Sequence, residues 1–188
     1  KLVSELAKTG KPVIALVMCG RPVIFNEIRE HADAVLCTWW LGSEAGNAIC
    51  NVLWGEYNPS AKLPMTFPAH VGQIPIYYQN KSTGRPTALK QTYKASYIDA
   101  STEPAYPFGY GLSYTGFGYS DLKLLPGKAA GVHTEVSVKV TNTGKCAGEE
   151  VVQLYVQDKV ASVTRPIKEL KGFRKIHLNV GESKTVAF

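Results

Sequence analysis

The chain has 188 residues, 45% of them hydrophobic and 19% charged, with a formal net charge of +6. That balance describes a folded globular chain, excludes a disordered one and contains no apolar run long enough to span a membrane. The 21 basic residues are dispersed among 15 acidic ones with no basic stripe or interleaved stacking aromatics, so the charge reads as a solvated surface and argues against nucleic acid.

Lys1 to Gly10 reads as a helix closed by glycine, and Lys1 carries no cap or leader pattern before it; the expectation is a chain that starts inside a domain. Pro12 opens an unbroken apolar run, Val13 to Cys19, as in a strand of a covered parallel sheet. Gly20-Arg21-Pro22 turns the chain, and Ile24 to Glu30 is a short helical segment with Ile24 and Ile28 on one face. Glu30 and Asp33 read as a helix-end and a strand-opening polar residue. Ala34 to Trp40 is a second apolar strand. Gly42 breaks it, Ser43 is placed to cap a helix and Glu44 falls in its first turn. Ala45, Ala48, Ile49, Val52 and Leu53 recur at helical spacing up to Gly55. Asn58-Pro59-Ser60 is a turn, after which Leu63 to Phe67 reads as a strand. Strands alternating with helices predict the last part of a doubly wound α/β layer.

From Gln73 to Glu103 the periodicity fails, and beyond a short extended piece at Ile74 to Tyr78 the segment reads as loop and linker. Tyr106 to Tyr114 is an aromatic–glycine junction, a composition suited to packing between domains. Further on the period becomes two: Val132, Thr134, Val136, Val138 and Val140 alternate with polar residues up to the Asn142-Thr143-Gly144 turn. Val151 to Gln157, Leu170 to Leu178 and Glu182 to Phe188 supply further strands, the last stopping mid-strand. Such spacing predicts a β-sandwich without the Cys–Trp–Cys immunoglobulin pattern. The expected domains are therefore 1–80 (α/β), 81–115 (linker and junction) and 116–188 (β-sandwich, expected to be truncated).

Gly42-Ser43-Glu44-Ala45-Gly46-Asn47-Ala48, followed by Gly55-Glu56-Tyr57-Asn58-Pro59-Ser60-Ala61-Lys62-Leu63-Pro64-Met65-Thr66-Phe67-Pro68, resembles the signature in the second domain of glycoside hydrolase family 3 enzymes, mostly β-glucosidases and their relatives. Arg165 to Phe173 resembles the fibronectin type III-like domain that such enzymes carry at their C-terminus. The resemblance covers nearly the whole chain. It implies the C-terminal part of a retaining β-glucosidase-like hydrolase of the bacterial periplasmic type, acting on terminal β-linked glucose or a related sugar without a cofactor. It also implies a periplasmic or secreted location, an oligosaccharide or glucoside substrate, and contact with an N-terminal barrel domain.

A retaining glycosidase needs a nucleophilic carboxylate and an acid/base carboxyl about 5 Å apart. The family's Asp nucleophile lies in the barrel and its Glu acid/base precedes the helix corresponding to residues 1–9, so neither finds a matching position and no catalytic residue is assigned; the chain alone is expected to be inactive. Glu44, at a helix start where the ionised form is favoured, reads as an anchor and not a general acid. Glu56 reads as solvated. Asp99, in Tyr97-Ile98-Asp99, and Arg85 are the candidates for substrate contact, weighed against a plain linker role. Trp39, Trp40 and Trp54 suggest sugar stacking, but the strand reading sends Trp39 and Trp40 to opposite faces and favours packing for all three.

Four cysteines, Cys19, Cys37, Cys50 and Cys146, are too few and too widely spaced for a disulfide framework or zinc site, and Cys37 and Cys50 read as buried thiols. The histidines share no metal-ligand spacing, no glycine fingerprint for a nucleotide is complete and no Gly-x-Ser-x-Gly elbow occurs; neither metal nor cofactor is expected. The alternative function is a stand-alone module whose sandwich binds carbohydrate or a partner.

Overall fold

A computed structural model describes residues 1–85, 95–125 and 134–188. The chain divides into two compact units: Lys1–Leu53 with Leu63–Phe108, and Trp54–Lys62 with Gly109–Phe188.

In the first unit, α1 (Leu2–Ala7), β1 (Ile14–Val17), α2 (Asn26–His31), β2 (Ala34–Cys37) and α3 (Ala45–Leu53) follow in order. Strands β1 and β2 pair in parallel from Ile14↔Ala34 to Val17↔Cys37, as a strand–helix–strand crossover requires. Asp33 does open β2: its carboxylate accepts the Val13 N–H at 2.8 Å while its own N–H donates to the Val13 carbonyl at 2.9 Å. Three expectations change. The outer face of β1 is open, with Ile14, Leu16 and Met18 substantially exposed, so its apolar run is not covered on both sides within this chain. Strand β2 stops at Cys37 because Trp39 takes a left-handed φ of 57°, a turn that ends extended pairing. The Leu63–Phe67 strand is reduced to a single bridge between Phe67 and Tyr106; Pro64 and Pro68 cannot donate to a longer ladder.

The second unit is built on a β-sandwich. One sheet is β3 (Phe117–Leu125), β4 (Glu135–Asn142) and β7 (Ser183–Ala187), ordered β3-β4-β7; the other pairs β5 (Gly148–Val156) with β6 (Glu169–Leu178). All pairings are antiparallel. Val140, Val152, Leu178 and Val186, one from each of β4, β5, β6 and β7, make the buried core, with Phe117, Val138, Ile176 and Phe188 packed around it. Apolar burial of this kind stabilises by about 25 cal/mol per Å² removed from water. The β4–β5 turn is organised by buried Asn142, whose Nδ2 donates to the Cys146 and Leu178 carbonyls at 2.9 and 3.1 Å. Its Oδ1 accepts from Thr115 Oγ1 and the Gly144 N–H at 2.7 and 3.1 Å. The fold is thus α/β followed by an all-β sandwich. Val132 and His133, at the start of the expected alternation, lie outside the described residues.

Candidate functional site

Ligands of open α/β sheets bind beyond the carboxyl ends of parallel strands, so the first unit is read from that edge. After β1 the chain runs through Met18-Cys19-Gly20; after β2 it runs through Thr38-Trp39-Trp40, and Thr38 N–H donates to the Val17 carbonyl at 3.0 Å, holding the two ends together. A β-carbon on Gly20 would lie 3.0 Å from the Trp40 ring, so that indole lies on Gly20 while remaining 83% exposed. Trp39 meets Phe67 edge-on at 5.7 Å between ring centres, Phe67 meets Phe25 at 5.8 Å, and Phe25 stacks on Tyr106 at 5.9 Å. Trp39 therefore packs as expected. Trp40 and Trp54, at 83% and 79% exposure, do not: the end of β2 at Cys37 removes the face that was to bury Trp40. Cys50 is exposed as well.

Glu44 stands immediately before α3; its carbonyl accepts the Ala48 N–H at 3.0 Å and its carboxylate accepts from Asn47 Nδ2 at 2.5 Å. Its carboxylate is thus engaged at the start of α3 by a side chain of that helix.

The loop carrying Asp99 is hung on one buried side chain. Gln73, 4% exposed, accepts the Ala69 N–H on Oε1 at 2.6 Å and donates from Nε2 to the Ser101 and Glu103 carbonyls at 3.1 and 3.0 Å. Tyr97 adds a hydroxyl bond to the Gly72 carbonyl at 3.0 Å and an edge contact with the His70 ring. Asp99 is exposed between these attachments, beside a fully exposed Ile98. Arg85 is exposed too, and its carbonyl accepts the Ala95 N–H at 2.9 Å. The two candidates thus sit on separate described segments, with no interaction between them to combine their chemistry. Among the described residues, no three His, Cys, Asp or Glu side chains come together as a metal-holding group.

In the second unit the most distinctive stretch of sequence has a structural task. Every polar side chain from Tyr57 to Lys62 reaches the sandwich or the segment leading into it. Tyr57 Oη and Ser60 Oγ donate to Glu149 Oε2 at 2.8 and 3.3 Å. Asn58 Nδ2 donates to the Ala147 carbonyl at 3.0 Å, and its Oδ1 accepts from Ser113 Oγ and the Tyr114 N–H. Lys62 Nζ donates to the Gly111 carbonyl at 2.9 Å and pairs with Glu150 at 3.1 Å. Tyr119 Oη donates to the other Glu150 oxygen at 3.0 Å; burial first, then Glu150, pushes its phenol well above the ordinary value. Lys175, followed by Tyr57, holds Glu149 below the usual carboxylate range. Both carboxylates are occupied by donors from the signature stretch and the sandwich, an arrangement for fastening and not for proton transfer. A cleft of about 400 Å³ on the sandwich is lined by Leu122, Val136, Val138, Val152 and Phe188 together with the polar Tyr119, Ser120, Asp121 and Gln153.

The profile of the glycosyl hydrolase family 3 C-terminal domain matches residues 1–114 and that of the fibronectin type III-like domain matches residues 150–188. The chain is 50% identical over its whole length to a periplasmic beta-glucosidase of Salmonella typhimurium and 48% identical to a beta-xylosidase of Formosa agariphila, covering 25% of each. It also superposes over its whole length on the crystal structure of a beta-glucosidase from Listeria innocua in complex with glucose, at 43% identity and a TM-score of 0.95, covering 26% of that chain. The chain spans about a quarter of the length of the curated relatives it matches. With the fold, the signature stretch and these matches in agreement, the chain belongs to glycoside hydrolase family 3, carrying sequence of that family's C-terminal domain and of its fibronectin type III-like domain.

Proposed function

We propose that this chain is the C-terminal part of a retaining glycoside hydrolase that releases terminal β-linked glucose or a related sugar, and that it contributes scaffold and not catalytic carboxylates. The observation that carries the reading is the 50% identity, across the whole chain, to the Salmonella typhimurium periplasmic beta-glucosidase; the 48% identity to a beta-xylosidase keeps xylose among the related sugars. A pair of carboxyls about 5 Å apart, one held protonated, is what retention requires. Here Glu149 and Glu150 are committed to ion pairs, Glu44 to a helix start, and Asp99 is exposed on its loop.

In this reading the pair lies in a barrel domain that the α/β unit packs against. The exposed apolar side chains of β1 and the residue after it, Ile14, Leu16 and Met18, give that unit a surface suited to being covered. Asp99 and Arg85 are the side chains offered to the substrate. Support for Asp99 is that Gln73 and Tyr97 fix its loop while leaving the carboxylate in solvent. The location is periplasmic or secreted, and no cofactor takes part.

The test is hydrolysis of aryl β-glucosides and β-xylosides by the longer protein that contains this chain, with the first-formed anomer read by NMR. Release of the β-anomer of either sugar is expected; release of the α-anomer, or no hydrolysis of either, overturns the reading.

A further inference from the structure

Of the two adjacent tryptophans after β2, one packs inward and the other is held out in solvent. The strand ends at Cys37, and Trp39 takes a left-handed φ of 57°, a conformation that is uncommon and costly for a bulky side chain. The Trp39 ring meets Phe67 edge-on at 5.7 Å between ring centres, while Trp40 is left 83% exposed. Large aromatic side chains ordinarily hide most of their surface.

The Trp40 ring nevertheless has a seat. A β-carbon on Gly20 would lie 3.0 Å from its Cε2, 3.1 Å from Cζ2 and 3.3 Å from Nε1, so a glycine at this position is what lets the ring settle there. The seat is itself fixed, because the Thr38 N–H donates to the Val17 carbonyl at 3.0 Å and ties the end of β2 to the end of β1. The two strands run parallel, and the edge they reach together is the carboxyl edge, where open α/β sheets receive ligands. Strained backbone, glycine seat, exposure and position converge on one side chain.

We propose that Trp40 is a stacking platform for a sugar ring, the one on the leaving-group side of the scissile bond. This rests on the functional reading above: with the carboxylate pair in a barrel domain, the terminal sugar sits there, and the unit left for the sheet edge is the one beyond the bond that breaks. A β-linked pyranose presents a face of C–H groups, which packs on an aromatic ring by dispersion and by attraction to the negative π face.

The experiment uses the longer protein that contains this chain and compares a β-linked glucose disaccharide with methyl β-glucoside, which has no second ring. Trp40→Ala and Trp40→Leu should each raise KM for the disaccharide about tenfold with kcat little changed, the pattern of binding lost equally from ground state and transition state. Neither should alter KM for methyl β-glucoside. Trp40→Phe, which keeps an aromatic face, should stay within about threefold of the parent on both substrates. Gly20→Ala, which sets a β-carbon against the ring, should raise KM for the disaccharide alone. An unchanged disaccharide KM in Trp40→Ala, an equal loss on both substrates, or full recovery by Trp40→Leu, as plain apolar packing would give, overturns the proposal. A parent that hydrolyses neither substrate overturns the functional reading, and the proposal with it.

Discussion

Lys62 Nζ lies 3.1 Å from Glu150 Oε2, an ion pair whose side chains are only 16% and 10% exposed. It joins the Trp54–Lys62 segment to β5 inside one compact unit. Removing one partner leaves a nearly buried charge, at a cost of about 3 kcal/mol, whereas replacing both by apolar groups restores most of it. Lys62→Met should therefore lower stability by about 3 kcal/mol in urea unfolding. Lys62→Met with Glu150→Leu should lie closer to the parent, and a neutral single variant would contradict the fastening role.

Gly111 lies under the same segment. A β-carbon there would collide with the Ala61 carbonyl, a backbone atom with no freedom to swing aside. Gly111→Ala should cost about 2 kcal/mol, the scale of forced overpacking, measured as a fall in thermal midpoint.

Glu149 and Lys175 add a pH dependence. Their atoms are 2.6 Å apart, with side chains 31% and 47% exposed. Lys175 first, then Tyr57, lowers the Glu149 value; a depressed carboxylate stabilises the fold above its unfolded value, about 4.3, and loses that contribution as pH falls through the folded value. Lys175 is raised, chiefly by Glu149, so the same interaction is fully present below about 10.4 and fades above it. After solvent screening it contributes about 0.5 kcal/mol. Glu149→Gln should remove that increment near neutral pH and flatten the acid limb of the stability curve; an unchanged acid limb would contradict the pairing.

Gln73 is the hanger of the Asp99 loop. Gln73→Leu strands the Ser101 and Glu103 carbonyls and the Ala69 N–H, which should cost about 3 kcal/mol. Hydrogen exchange over residues 97–103 should rise more than exchange in β1 and β2, and equal acceleration everywhere would deny the loop its dependence on this side chain.

The regular elements were legible because their periods survive in the sequence. The alternation in β4, β5, β6 and β7 marks the buried face of the sandwich, while the apolar runs of β1 and β2 and the helical spacing of α3 mark faces that are half-buried. Strand β3 shows no such period: its register slips between Ser120 and Lys123, with Asp121 at a φ of 52°, so Phe117 and Tyr119 fall out of step with Leu122 and Leu124. The end of β2 was overrun for a similar reason, since a left-handed Trp39 leaves no trace in hydrophobic pattern. Gly55, by contrast, shows the positive φ of 80° that a helix-closing glycine suggests.

At the candidate site the sequence was less informative. Asp99 and Arg85 stood out as charged residues in an aperiodic stretch, but the Gln73 hanger lies some 30 residues away in sequence and carries no motif. The polar residues of the signature, Tyr57, Asn58, Ser60 and Lys62, look like surface turn chemistry in isolation. Their partners Glu149, Glu150 and Ser113 are 55 to 92 residues distant, so their fastening role is tertiary and invisible to local pattern.

The most direct test of the central claim, that this chain supports a glycoside hydrolase without supplying its carboxylate pair, is an assay of the purified chain alone against an aryl β-glucoside. No turnover above the uncatalysed rate is predicted, from a chain whose circular dichroism and cooperative unfolding show it folded. Turnover above background that survives repurification and is abolished by Asp99→Asn would contradict it.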